Sequence, residues 1–172
     1  MTDDDVRVRT DERRRLLNEL ELERNQLIRN IETCRIRDIE RPFIGDWSLK
    51  DIVGHVATWE AEFVTAIREL RAGNPSPLKG FNDSHRDQWN QDHVERKRDL
   101  NFWSVYEQLR GGRHRLHDEL DQLSDEELTA DGSEYLAIVR AATEHDREHW
   151  HQIAAILAGM AGVRRETPSG TD

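Results

Sequence analysis

Apolar positions in this chain recur at steps of three and four over long stretches, the spacing that lines up side chains on one face of an α-helix. Leu16, Leu20, Leu27 and Ile31 form the first stripe, widened by Leu17 and Ile28, and predict a helix from about Val6 to Cys34. Pro42 and Gly45 break the following connector, Arg35 to Trp47. Ser48, with Asp51 three residues on, is a variant of the capping box and starts a second helix. Its core face is Ile52, Val56, Trp59, Phe63 and Ile67, and it ends near Ala72-Gly73.

Asn74-Pro75-Ser76-Pro77 opens a loop reaching about Gly80, after which Asp83 or Ser84 caps a short polar helix containing Trp89, Asn90 and His93. Phe102, Val105, Tyr106, Leu109, Leu116 and Leu120 mark a longer helix from about Asn101 to Leu123. Gly111-Gly112 inside it costs about 1 kcal/mol per glycine relative to alanine and marks a kink or a close helix contact. Ser124-Asp125-Glu126-Glu127-Leu128 reads as a short capped turn, and Ser133 caps a last helix from about Glu134 to Ala161. The seam of that helix is Ile138, Ala142, His145, His149, Ile153 and Ile156. No stretch alternates apolar and polar residues between turn signals, so no strand is predicted. The expected fold is all-α, an up-down-down-up four-helix bundle with a long crossover between its second and third helices. Residues 1–163 are read as one domain and 164–172 as a flexible tail.

Composition narrows the classes of function. A formal net charge of -10 argues against a nucleic-acid surface, which needs clustered Lys and Arg, and Arg13-Arg14-Arg15 is read as a solvated helix face beside Asp11-Glu12. The longest apolar stretch, near Ile153 to Val163, is too short to span a bilayer. Met1-Thr2-Asp3-Asp4-Asp5 opens acidic, unlike a signal peptide. Cys34 is the sole cysteine, so no internal disulfide forms, and its stripe position suits a buried small hydrophobe. The expectation is a cytoplasmic protein with a small-molecule substrate, no nucleic-acid or membrane partner, and a homodimer as one possible assembly.

Three histidines occupy positions where such helices ordinarily place Leu, Ile or Ala. His145 and His149 are four apart on one helix face, and His55 lies on the core side of another helix between Ile52 and Trp59. Facing helices pack about 8–10 Å apart, close enough for side chains of both to converge. Three imidazoles would hold a divalent metal, zinc or nickel ahead of iron, manganese or cobalt, with one coordination position open. The competing reading is three core histidines satisfied by neighbouring carboxylates or carbonyls. Asp51, one turn before His55, either caps its helix or orients the imidazole, and Trp59 is either a pocket wall or core packing. His151 is read as surface, His85, His93, His114 and His117 as solvated, with His93 the exception if the crossover folds over the site. Glu144 and Glu148 are read as rotated off the histidine face, and Trp47, Trp89, Trp103 and Trp150 as structural anchors.

The segment Asp46-Trp47-Ser48-Leu49-Lys50-Asp51-Ile52-Val53-Gly54-His55-Val56-Ala57-Thr58-Trp59-Glu60 resembles the DinB-like superfamily of four-helix bundles, close to its DfsB/ClbS-like and mycothiol-dependent maleylpyruvate isomerase relatives. The resemblance continues through Gly80-Phe81-Asn82, Gln88-Trp89-Asn90 and Leu123-Ser124-Asp125-Glu126-Glu127-Leu128 to His145-Asp146-Arg147-Glu148-His149-Trp150-His151-Gln152-Ile153. It implies a divalent metal held by three histidines, at positions matching His55, His145 and His149, and chemistry that uses a low-molecular-weight thiol. One ClbS-like branch is similar to a resistance protein that opens a reactive cyclopropane. Three readings therefore compete: a metal-dependent enzyme handling a small electrophile, a stress or resistance protein that sequesters a small molecule without turnover, and a structural dimeric bundle.

Overall fold

Each long apolar stripe becomes a helix in the computed structural model, which describes residues 2–81 and 83–166. The helices are α1 (Asp3–Thr33), α2 (Leu49–Arg71), α3 (Asp83–Arg96), α4 (Phe102–Leu120), α5 (Asp125–Thr129) and α6 (Glu134–Glu166). The helix starts are specified locally. Ser48 and Asp51 form a reciprocal capping box at α2, and Ser124 and Glu127 form another at α5. The Asn101 side chain accepts from the Ser104 N–H at the start of α4.

Two apolar clusters organise the bundle. Leu20 of α1, Phe63 of α2, Leu116 of α4 and Ala142 of α6 belong to one. Leu27, Val56, Leu109 and Ile153 of the same helices belong to the other. Moving from the first cluster to the second means moving forward along α1 and α6 but backward along α2 and α4. The bundle is therefore up-down-down-up, with α1 lying chiefly against α6 and α2 against α4. Between the clusters lies a layer of buried charge, Arg24, Glu60, Arg113 and Asp146, one residue from each long helix.

The structure departs from the sequence expectation in several places. The connector before α2 folds into a short antiparallel hairpin, β1 (Pro42–Ile44) and β2 (Trp47–Ser48), turned at Gly45 with φ 57°. Strands of three and two residues are too short to show a period, and Gly45 supplies a left-handed conformation that residues with a Cβ seldom adopt. The crossover contains a 3-10 turn (Pro77–Gly80) before α3. Helix α6 continues through Glu166, past the start of the predicted tail, and residues 167–172 lie outside the described residues. Arg13 is not a solvated side chain: it donates to the Leu120 and Leu123 carbonyls, 2.8 Å each, at the C-terminal end of α4. Among the described residues no helix is long and apolar enough to cross a membrane.

Candidate metal centre

Helix α2 presents His55 and helix α6 presents His145 and His149, one turn apart, toward a common point. The Nε2 atom of His145 lies 3.1 Å from Nε2 of His55 and 3.2 Å from Nε2 of His149. One ring nitrogen from each of the three falls within 4.8 Å of the others. His55 and His149 are buried, and His145 borders a cavity. Burial, followed by the neighbouring His149 and Lys97, pushes His55 down to about 3. Burial also lowers His145, reinforced by His149, His55 and Arg24, and it lowers His149. All three rings are thus neutral at pH 7, the form that binds metal.

The proton count of the three rings decides whether they suit a cation. The Nδ1–H of His149 donates to Oε1 of Gln152 at 3.0 Å, which leaves a lone pair on its Nε2. His145 must then donate from its own Nε2, and that single proton has to serve both His149 and His55. Three neutral imidazoles therefore cannot satisfy one another fully, whereas three lone pairs around a cation conflict nowhere. Two nitrogens each about 2.0–2.1 Å from a tetrahedral ion lie about 3.3–3.4 Å apart, close to the 3.1 and 3.2 Å that separate Nε2 of His145 from its two partners. The residues present fit a three-histidine centre. Gln152 also donates to Oε1 of Glu148 at 3.2 Å, linking that carboxylate to His149 through an amide.

The triad forms part of the wall of an open cavity of about 890 Å³. Trp47 lies 5.0 Å from His55 between ring centres, and Trp59 and Phe63 lie 6.0 and 6.3 Å from His145. Both indole N–H groups turn toward α3, Trp47 donating to Gln91 at 3.0 Å and Trp59 to Asn90 at 2.9 Å, so the rings leave largely apolar surface to the cavity. Lys97 donates to the Gly54 carbonyl of α2 at 3.0 Å, and burial lowers its ammonium to about 8. A Cβ at Gly54 would sit 3.3 Å from both Lys97 and Val105, so this position admits the close approach that seats α2.

Of the five residues singled out, His55, His145 and His149 come together and Trp59 is a wall of the cavity. Asp51 does not reach the triad. Its carboxylate accepts from the backbone and side chain of Ser48 at 2.9 and 2.8 Å, which is the capping role. Trp47, expected to be an anchor, lines the cavity, as do Glu144 and Glu148. His93 does not join the site; it stacks on Trp89, which in turn packs on Trp59. His117 is not simply solvated, since its Nε2 meets Glu21 at 2.7 Å. Cys34 is partly buried and its thiol is pushed up to about 11 by burial and by Asp38, the inert state expected of it. Gln152 escaped the sequence reading. Its signal was an amide three residues after His149, on the same helix face.

A model described as the DinB superfamily matches residues 19–153 of the chain. No curated protein matches the sequence. Among solved structures, the crystal structure of an uncharacterised protein from Escherichia coli UTI89 superposes with a TM-score of 0.73 at 14% identity. The match covers 85% of this chain and 92% of that one, a likeness of fold.

Proposed function

The chain belongs to the DinB superfamily, and from that premise we propose that it is a metal-dependent enzyme acting on a small electrophile, with a low-molecular-weight thiol as co-substrate. The observation that carries the reading is the convergence of three neutral imidazoles, from two helices, on the wall of an open cavity of about 890 Å³. His55, His145 and His149 would hold a divalent cation such as zinc or nickel. When bound, that ion supplies Lewis acidity at a position open to a thiol, water or substrate, lowering the pKa of such a ligand toward neutrality. The chain's own residues do the rest. Gln152 keeps the His149 proton on Nδ1 and its lone pair on Nε2. Trp47, Trp59 and Phe63 exclude water from one side of the centre and offer an apolar surface to the electrophile.

Metal analysis of untagged protein tests the first half of this reading, with about one equivalent of divalent ion expected. Protein without metal, and with unchanged stability in chelator, overturns it. The second half is tested by incubating zinc- and nickel-loaded protein with pairs of thiols and electrophiles. Thiol-dependent conjugate formation is expected. Saturable, stoichiometric protection of the electrophile without turnover would instead favour sequestration.

A further inference from the structure

We propose that Arg24, Glu60, Arg113 and Asp146 are positioning residues of the histidine centre: the charged layer they form sets the rotation and axial register of α2 against α6 on which convergence of the three imidazoles depends. All four are buried, at 4%, 1%, 5% and 1% exposure. Each occupies one slot of an otherwise largely apolar stripe. Arg24 falls between Leu20 and Leu27, Glu60 between Val56 and Phe63, Arg113 between Leu109 and Leu116, and Asp146 between Ala142 and His149.

Apolar stripes alone hold register weakly, because burial is non-directional and a helix displaced by one turn, about 5.4 Å, meets a similar face. Guanidinium forks and carboxylates are directional. Arg24 donates to both oxygens of Asp146 at 2.8 and 2.9 Å and to Glu60 at 2.9 Å. Arg113 donates to Glu60 at 2.6 Å and to Asp146 at 2.8 Å, and its remaining arm reaches the Leu20 carbonyl at 2.8 Å. Each arginine thus bridges both carboxylates. Those carboxylates sit on the two helices that carry the histidines, Glu60 five residues after His55 and Asp146 directly after His145. Being alike in charge they do not join α2 to α6 directly; α1 and α4 join them through the arginines. Gly112 completes the arrangement, since a Cβ there would lie 2.9 Å from Cγ of Glu60. Stability alone does not account for such a layer, because a well-packed apolar replacement of a buried ion-pair network is often neutral or stabilising.

The proposal rests on the metal reading above and is tested in the full chain carrying Arg24→Met, Glu60→Met, Arg113→Met and Asp146→Leu together. Zinc affinity is measured by competition with a chromophoric chelator, cobalt(II) coordination by its visible spectrum, and metal-free stability by thermal unfolding. The expected result is an equal or higher thermal midpoint with zinc affinity reduced about 10- to 100-fold and an altered cobalt spectrum. A folded variant with affinity and spectrum unchanged overturns the proposal. If the fourfold variant does not fold, Arg24→Lys is read instead, because it keeps the charge and loses the fork. An affinity about tenfold lower in folded protein supports the proposal, and unchanged affinity overturns it. Wild-type protein that binds no metal overturns the metal reading itself, an outcome separate from wild type and variant binding equally.

Discussion

Two buried polar clusters lie side by side in this bundle and behave oppositely. The charged layer is complete: two cations and two anions exchange charge-assisted hydrogen bonds, and the arginines' spare donors find carbonyls. Burial alone would raise Glu60, but Arg24 and Arg113 hold it below the usual carboxylate range. The histidine triad is neutral, short of one proton for its own contacts, and opens onto the cavity. A cluster that satisfies itself can only hold structure. One that does not satisfy itself is where an external ligand has something to add.

Breaking the charged layer should have the largest effect on stability. Asp146→Leu alone leaves two buried guanidiniums short of an acceptor and is expected to cost about 3–5 kcal/mol, measured by urea unfolding. A loss under 1 kcal/mol would mean that the layer is not the tight network its distances describe. The triad should respond to metal instead. Zinc at about 100 times its Kd stabilises wild type by about 2.7 kcal/mol, whereas His149→Leu gains nothing from zinc and, metal-free, unfolds within about 1 kcal/mol of wild type. Equal zinc stabilisation of both proteins would remove His149 from the centre.

Acid separates the clusters again. In metal-free protein the folded-state pKa of His55 is about 3, against about 6.5 in the unfolded chain, and those of His145 and His149 are also lowered. The unfolded chain therefore binds more protons below about pH 6.5. Stability should fall as the pH drops from there toward 3, by up to about 1.4 kcal/mol per pH unit for each titrating ring. The lowered pKa of Glu60 keeps its carboxylate ionised through the upper part of that window. His149→Leu should show the shallower slope, and equal slopes in unfolding measured from pH 7 to 5 would contradict neutral, buried rings. The smallest effect is expected at the glycine pair. Gly112→Ala presses a methyl group toward Glu60 and should destabilise by about 1 kcal/mol. Gly111→Ala meets only the flexible end of Arg115 and should be neutral or stabilising by a similar amount. Chemical denaturation of the two variants side by side checks the contrast.

Much of this was legible in the chain. Steps of three and four in Leu20, Leu27, Val56, Phe63, Leu109 and Leu116 are a local property, and each stripe folded as a helix because an amphipathic segment has one way to bury its face. His55, His145 and His149 stood out for the same reason, as polar residues in apolar slots. Arg24, Glu60, Arg113 and Asp146 carry that same signal, but long charged side chains on helices are ordinarily solvated. Their partners lie between 33 and 122 residues away, so nothing local announces the pairing. The close contact at Gly112 was one of two readings open for the glycine pair, and only the approach of Glu60 decides between them.

The starts of α2, α4, α5 and α6, their capping residues and the identity of the three inward imidazoles depend on neighbours within a turn or two, and the order of residues is enough to specify them. The conversion of Trp47 from anchor to cavity wall, the attachment of α3 through Asn90 and Gln91, the exclusion of His93, and the pairing of charges across four helices depend on distances between segments far apart in the chain. Those distances come into being only when the helices pack. A histidine's slot in a stripe says that it points inward; what it meets there is decided by the other three helices.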